Sequence, residues 1–330
     1  MPPESGVQMV RGAAVTLAAA MLSVACATAR TIPVADHHQH LFSPEMGALL
    51  APGPPPSPGI TARELIKLLD SAGIQRALVL SVAYIYGSPS RTIADEYAKV
   101  RADNDWTAAQ VAQYPNRLIA FCGFNPLKEY ALAELDRCAG IPGLSRGIKL
   151  HFGNSDVQLE NPAHVEQLRR VFSAANAHHM AIVIHMRASI SRHRPYGAQQ
   201  ARIFLDQLLP LAADVPVQIA HLAGTGPGYQ DPPADSAMAE LAAAMERHDR
   251  RTKNLWFDVA SVANGDLSPA TAALLARRIR QIGVNRVLFG SDAAYGDNLR
   301  PRESWLAFRR LPLTDSEFSR IAGNVPPYFR

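Results

Sequence analysis

His38 and His40 stand two residues apart in the run Val34-Ala35-Asp36-His37-His38-Gln39-His40-Leu41-Phe42. On an extended strand that spacing turns both imidazoles to the same side, where two ring nitrogens can grip one metal ion. A lone His-x-His also serves as ordinary polar loop structure, so its meaning depends on what else the chain supplies. Three later apolar runs end in groups of the same chemistry: Ile184-His185, Ala220-His221 and Gly290-Ser291-Asp292. Four imidazoles and one carboxylate form a ligand set suited to a divalent transition metal, most often zinc.

The elements that must position these groups follow from hydrophobic patterning. Buried strands are expected at 34–42, 77–82, 117–122, 147–152, 181–185, 217–221, 255–259 and 286–292. Amphipathic helices are expected between them at 64–72, 93–113, 130–137, from Asn161-Pro162 onward, and at 198–209, 237–247 and 269–281. Thr61 to Glu64 and Thr314 to Glu317 are capping boxes, and Pro162 suits the first position of a helix. Eight strand–helix units without a Ser/Gly-rich linker fit a single-domain (β/α)8 barrel over 30–330 better than an open sheet. The strands carrying His38, His40, His185, His221 and Asp292 would then all deliver them to one mouth. Prolines 52, 54, 55, 56 and 58 follow strand one and would shape that mouth. Tyr84 and Tyr86, after strand two, and Tyr295, after strand eight, would supply apolar walls with hydroxyl handles.

Composition narrows the function classes. The 330 residues are 48% hydrophobic and 19% charged with a formal net charge of +4, and Lys and Arg are interspersed with Asp and Glu. This is a chain with a large core, and nucleic acid is not an expected partner. Arg11 precedes the apolar stretch 12–25, too short to span a bilayer and the right length for a signal-peptide core. Small-x-small sites at Ala25-Cys26-Ala27 and Ala27-Thr28-Ala29 predict a mature N-terminus between Ala27 and Thr31. Export to a bacterial periplasm is the expectation, with acylation of Cys26 or an uncleaved cytoplasmic extension as alternatives. The mature chain would have no stable membrane span. Cys122 and Cys138 match no zinc spacing, and whether they pair is left open by the sequence. Oligomeric state is open too, and a homo-oligomer is allowed.

The motifs Asp36-x-His38-x-His40, Gly147-Ile148-Lys149-Leu150-His151, Ile184-His185, Ala220-His221, Gly290-Ser291-Asp292 and Ile321-Ala322-Gly323-Asn324 together resemble the amidohydrolase superfamily. The resemblance is to its branch of metal-dependent TIM-barrel hydrolases and non-oxidative decarboxylases. It implies that His38, His40 and His185 hold the metal, with Asp292 a fourth ligand or the base that deprotonates a metal-bound water. It implies that His221 polarises a substrate carbonyl or protonates a leaving group. Lys149 would be either a carboxylated bridge between two ions, with His221 then a ligand, or a plain cation beside one ion. The one-ion form with zinc is the expectation. His151, Arg187, Lys149, Tyr84 and Tyr295 are candidate substrate contacts. The implied activity is hydrolysis of a small cyclic or carboxylated amide, ester or lactone. Decarboxylation of a small aromatic or unsaturated acid is the alternative, and a catalytically silent exported metal-binding barrel is the second alternative.

Overall fold

The computed structural model describes residues 31–53, 59–265, 267–294 and 298–329. The signal-like segment with Cys26, prolines 54, 55, 56 and 58, and Tyr295 lie outside the described residues.

From Thr31 onward the chain alternates strand and helix. Strand β1 (Ala35–Gln39) is followed by helices α1 (Pro44–Leu50) and α2 (Ala62–Ala72), then β2 (Arg76–Leu80), α3 (Glu96–Ala112) and β3 (Leu118–Gly123). Next come α4 (Ala131–Ala139), β4 (Gly147–His151), the single turn α5 (Phe152–Ser155), α6 (Pro162–Ala177) and β5 (Ala181–His185). The last third runs α7 (Ala198–Ile203), β6 (Val217–Ile219), α8 (Pro232–Glu246), β7 (Leu255–Asp258), α9 (Pro269–Ile282) and β8 (Val287–Leu288), and ends in α10 (Pro301–Phe308) and α11 (Asp315–Gly323). All eight strands are parallel and paired in sequence order. The seam between the last strand and the first is closed by His37 N–H donating to Phe289 O (2.8 Å) and Asp292 N–H donating to His38 O (2.9 Å). The expected (β/α)8 barrel is the fold.

Local chemistry explains the helix starts. Thr61 and Glu64 form a reciprocal capping box before α2, Asn161 caps α6 with Pro162 at its first position, and Thr314 and Glu317 form a second capping box before α11. The N–H groups that no helical carbonyl can reach are thereby satisfied.

Several elements depart from expectation at their ends. β6 stops at Ile219, because His221 and Leu222 take left-handed backbone conformations (φ 54° and 47°) and cannot extend a strand. β8 is only two residues long, since Phe289 turns its carbonyl to β1 and Asp292 is itself left-handed at φ 54°. The helix expected from Ile93 begins at Glu96, and α8 starts earlier than expected, at Pro232. Helix α7 ends at Ile203, and residues 204–208 continue it with a wider π-helical turn.

The core has two parts. One lies between strands and helices, with Leu65, Leu69, Val100, Leu168, Phe172, Leu241 and Ile279 facing inward from the helical layer. The other fills the barrel floor, where Leu78, Leu80, Phe121 and Val183 pack with Tyr328 and Phe329 from the C-terminal tail. The Cys122–Cys138 pairing left open by the sequence is made, and it joins β3 to α4. No helix among the described residues is long and apolar enough to cross a membrane.

The second capping box gives a pH test. Glu317 accepts from the Thr314 N–H (2.7 Å) and from Arg280 (2.7 Å), and the Arg280 contact foremost lowers its pKa to about 2. A carboxyl lowered on folding stabilises the protein above its unfolded pKa, and that stability is lost as pH falls toward the folded value. Thr314→Ala is therefore expected to cost about 1 kcal/mol at pH 7. Denaturant titrations of Glu317→Gln should show a deficit at pH 7 that shrinks as pH drops below about 4.5. A deficit that does not change with pH would show that the charge of Glu317 plays no part.

Candidate metal centre

His38 sits in β1 with its side chain buried at the barrel mouth. Its Nδ1 lies 3.0 Å from Asp258 Oδ2, a carboxylate at the end of β7 with no exposure. Burial, with Lys149 adding to it, lowers His38 to about 3, so the ring is neutral at pH 7. A neutral imidazole facing a carboxylate through Nδ1 carries its proton there, which leaves the Nε2 lone pair for a metal. His40 is arranged in the same way: Nδ1 lies 2.6 Å from Leu80 O, and Nε2 faces Asp292 Oδ1 at 3.5 Å. Burial holds this imidazole well below its usual pKa as well.

Asp292 reaches the same point from the end of β8. Its Oδ2 accepts from Asn298 (3.0 Å), while Oδ1 is buried and accepts no hydrogen bond among the described residues. Burial pushes this carboxyl well above the ordinary range, with Lys149 opposing the shift. An orphaned carboxylate oxygen beside two imidazole lone pairs is a costly arrangement without a cation and a favourable one with it. The ligand atoms of His38, His40 and Asp292 lie within 4.8 Å of one another, and those of His38, His221 and Asp258 form a second such group. The donor set therefore fits a divalent ion.

The remaining predicted residues surround this group. His221 sends Nδ1 to Ala260 O (2.7 Å), and its ring centre is 4.6 Å from that of His38 and 5.1 Å from that of His185. His185, at the end of β5, belongs to neither three-residue group. It is in register with His151 across the sheet, and the two rings stack at 3.9 Å. His151 Nδ1 accepts from the Asn154 N–H (3.0 Å), so in the neutral ring the proton is on Nε2. Lys149, 1% exposed in β4, places Nζ 3.4 Å from His38 Nε2, and burial lowers its pKa to about 8. Tyr84 is buried with its ring 5.1 Å from His151. Arg187 is buried and engaged, with Nε 2.5 Å from Asp231 Oδ2, Nη1 on Ala188 O and the guanidinium 4.9 Å over the Tyr196 ring.

Two carboxylates matter more than their place in the sequence suggests. Asp36 is not directed at the ligand cluster: Oδ1 accepts from the N–H groups of His38 (3.2 Å) and Ser291 (3.1 Å), and Oδ2 from Gln39 (2.7 Å) and the Ser291 hydroxyl (2.6 Å). It ties β1 to the segment that carries Asp292. Asp258 accepts from His38, from Gln218 (2.7 Å) and from the N–H groups of His221 (2.9 Å) and Ala260 (3.1 Å). Burial alone would raise its pKa, but His38 and the His221 N–H hold it well below the usual carboxylate range. The clue to Asp258 is its place as the last residue of a strand, the same place held by His185. Gly290 allows the close approach of β8 to β1, since a Cβ there would meet the His38 Cβ at 2.8 Å.

A family model described as Amidohydrolase matches residues 35–324. In fold the chain is similar to a dihydroxybenzoic acid decarboxylase from Polaromonas sp. JS666 with bound manganese and the inhibitor 2-nitroresorcinol, at TM-score 0.57 and 17% identity over 88% of this chain and 95% of that one. It is also similar to a probable 2-pyrone-4,6-dicarboxylic acid hydrolase from Acinetobacter baumannii with citric acid bound (TM-score 0.54, 18% identity, 88% and 96% covered). A third is an amidohydrolase from Burkholderia multivorans with bound zinc (0.56, 13%, 88% and 96%). No curated protein sequence matches the chain significantly.

Loss of the Asp258 carboxylate should free the His38 tautomer. Asp258→Asn is expected to weaken divalent-metal affinity about 10–100-fold, read by competition with a chromogenic chelator. Unchanged affinity in a folded variant would show that Asp258 does not orient His38.

Proposed function

Because the chain belongs to the amidohydrolase family, whose model matches residues 35–324, we propose that it is a metal-dependent hydrolase of a small cyclic or carboxylated amide, ester or lactone. The observation that carries the metal dependence is Asp292 Oδ1, a buried carboxylate oxygen with no hydrogen-bond donor among the described residues, 3.5 Å from His40 Nε2. His38, His40, His185 and Asp292 would hold one divalent ion, with zinc the expected metal. When bound, such an ion supplies Lewis-acid polarisation and acidifies water from a pKa of ~15.7 toward ~7.

The chain's own groups divide the proton traffic. With Oδ1 given to the ion, Asp292 would take a proton at Oδ2, which accepts from Asn298 (3.0 Å). His221, neutral and tied through Nδ1 to Ala260 O, turns its Nε2 lone pair inward. It must therefore accept a proton before giving one to a leaving group, and its role is base first and acid second. Lys149 supports the one-ion reading. Unmodified, its Nζ offers no anionic oxygen for two ions to share, so a two-ion centre would require its carboxylation.

The second reading, release of carbon dioxide from a small aromatic or unsaturated acid, is favoured by the similarity to the dihydroxybenzoic acid decarboxylase. Arg187 would be the natural carboxylate contact, but Asp231 already occupies its fork, so a substrate carboxylate would have to share that guanidinium. A panel of lactones, esters and cyclic amides beside a panel of aromatic acids, with carbon dioxide trapping, separates the two readings. Export is proposed on the apolar segment 12–25 and is supported by the buried Cys122–Cys138 bridge, which suits an oxidising compartment.

Elemental analysis should find about one divalent ion per chain in the wild type and none in a folded His38→Ala/His40→Ala double variant. Equal metal in both, or two ions with an added carbon dioxide that vanishes in Lys149→Met, would overturn the assignment. His221→Asn should keep the metal and lose at least ~100-fold in kcat, the lower bound for a displaced general acid–base group. Full activity in that variant would remove His221 from the chemistry. Mass spectrometry of the protein from its native host should find an N-terminus between Ala27 and Thr31, and an intact Met1 or Pro2 would refute cleavage.

A further inference from the structure

The C-terminal tail closes the barrel floor, on the opposite end from the mouth. Tyr328 and Phe329 are buried there, and their backbone carbonyls are held by Arg146 (2.9 Å, to Tyr328 O) and Arg76 (3.1 Å, to Phe329 O). Packing alone would be served by Phe at both positions. Tyr328 instead sends its hydroxyl up the barrel axis to Gln218 Oε1, at 2.5 Å.

That bond begins a chain that ends at a metal-ligand candidate. Gln218, in β6 with no exposure, donates from Nε2 to Asp258 Oδ2 (2.7 Å) and to His37 O (3.2 Å). Asp258 Oδ2 in turn accepts from His38 Nδ1 (3.0 Å). Each link fixes the direction of the next. A phenol has one proton, and an amide whose oxygen accepts it must turn its NH2 the other way, toward Asp258. The carboxylate so anchored draws the His38 proton to Nδ1 and leaves Nε2 unprotonated, facing Lys149 Nζ at 3.4 Å. A competing acceptor for the phenol, His37 Nδ1, is farther away at 3.4 Å. His37 Nε2 lies 3.2 Å from Asn324 O, a bond in which only the imidazole can donate, so this ring's proton is also assigned.

We propose that Tyr328, acting through Gln218 and Asp258, is a positioning residue that sets the His38 tautomer, and that docking of the C-terminal tail is thereby coupled to how tightly the centre holds its metal. The proposal rests on the metal reading given under Proposed function. It adds a dependence of that centre on a residue at the far end of the chain and the far end of the barrel. Without the phenol proton Gln218 Oε1 is left buried and unpaired, and an amide that shifts to find another donor draws its Nε2 away from Asp258 Oδ2. The carboxylate would then shift, and the His38 proton could settle on either nitrogen.

The test compares the full-length wild type with Tyr328→Phe, Gln218→Met, the double variant and Phe329→Leu. Phe329→Leu disturbs the plug without touching the chain of bonds. Protein loaded with zinc alone is mixed with excess chromogenic chelator, and the rate of metal release is followed beside the melting temperature. Tyr328→Phe and Gln218→Met are each expected to release zinc about 10-fold faster, and the double variant no faster than Gln218→Met alone, because the two lie on one path. Phe329→Leu should lower the melting temperature and leave the release rate unchanged. In metal-free protein labelled with 15N-histidine, the wild type should show His38 as a single Nδ1–H tautomer and Tyr328→Phe as a mixture. Wild-type release rate and a single tautomer in Tyr328→Phe would overturn the proposal alone. So would faster release in Phe329→Leu in proportion to lost stability, which is the mark of a merely structural plug. A wild type that takes up no zinc would overturn the metal reading, and this proposal with it.

Discussion

The barrel closes through a buried carboxylate, and the candidate centre exists because it does. Asp36 accepts four hydrogen bonds, two of them from Ser291, and so fastens β1 to the residues that follow β8. Only this seam brings Asp292 beside His38 and His40, which come from the opposite end of the sequence. Burial raises Asp36 to about 6, against the pull of its donors. A carboxyl in that condition persists where geometry demands it, since an unpaired charge in a dry interior costs several kcal/mol. The seam lies within 4 residues of each ligand it positions, which leaves little slack between folding and site assembly.

Burial also sets the chemistry of the imidazoles. His37, His38, His40, His151, His185 and His221 are all lowered from the ordinary imidazole pKa, with desolvation the largest cause for each. Neutral rings have one proton to place, and the structure places it: on Nδ1 of His38, His40 and His221 through Asp258, Leu80 O and Ala260 O. Three inward-facing Nε2 lone pairs result. A site built of charged histidines would repel a cation, whereas this one offers it lone pairs and the orphaned oxygen of Asp292.

The barrel was legible because its strands are continuous apolar runs, and the capping boxes at Thr61 and Thr314 announce their helices. His38, His40 and Asp292 could be grouped from the sequence because the same strand-end chemistry recurs along the chain, and their ligand atoms do converge. Residues whose role depends on a distant contact were harder to read. Asp258 ends a strand in the same way as His185, yet a single carboxylate after Leu-Trp-Phe reads as an ordinary strand end until His38 is seen beside it. Gln218 and Tyr328 lie 110 positions apart and meet only inside the closed barrel. The left-handed turn at His221 leaves no mark in the residues 217–221, which pattern as plain strand. Arg187, a candidate substrate contact in the sequence, is paired with Asp231, which lies 44 residues on and gives no sign of it in the sequence.

The central claim is that one divalent ion binds between His38, His40, His185 and Asp292 at the mouth of this barrel, with His38, His40 and Asp292 the three whose ligand atoms already converge. Anomalous diffraction from crystals of the zinc-loaded protein, collected above and below the zinc edge, tests it most directly. The account predicts one anomalous peak per chain, within bonding distance of His38 Nε2, His40 Nε2 and Asp292 Oδ1, and none beyond it at Lys149. A peak elsewhere, a second peak bridged by a modified Lys149, or zinc-soaked crystals without a peak at that point would contradict it.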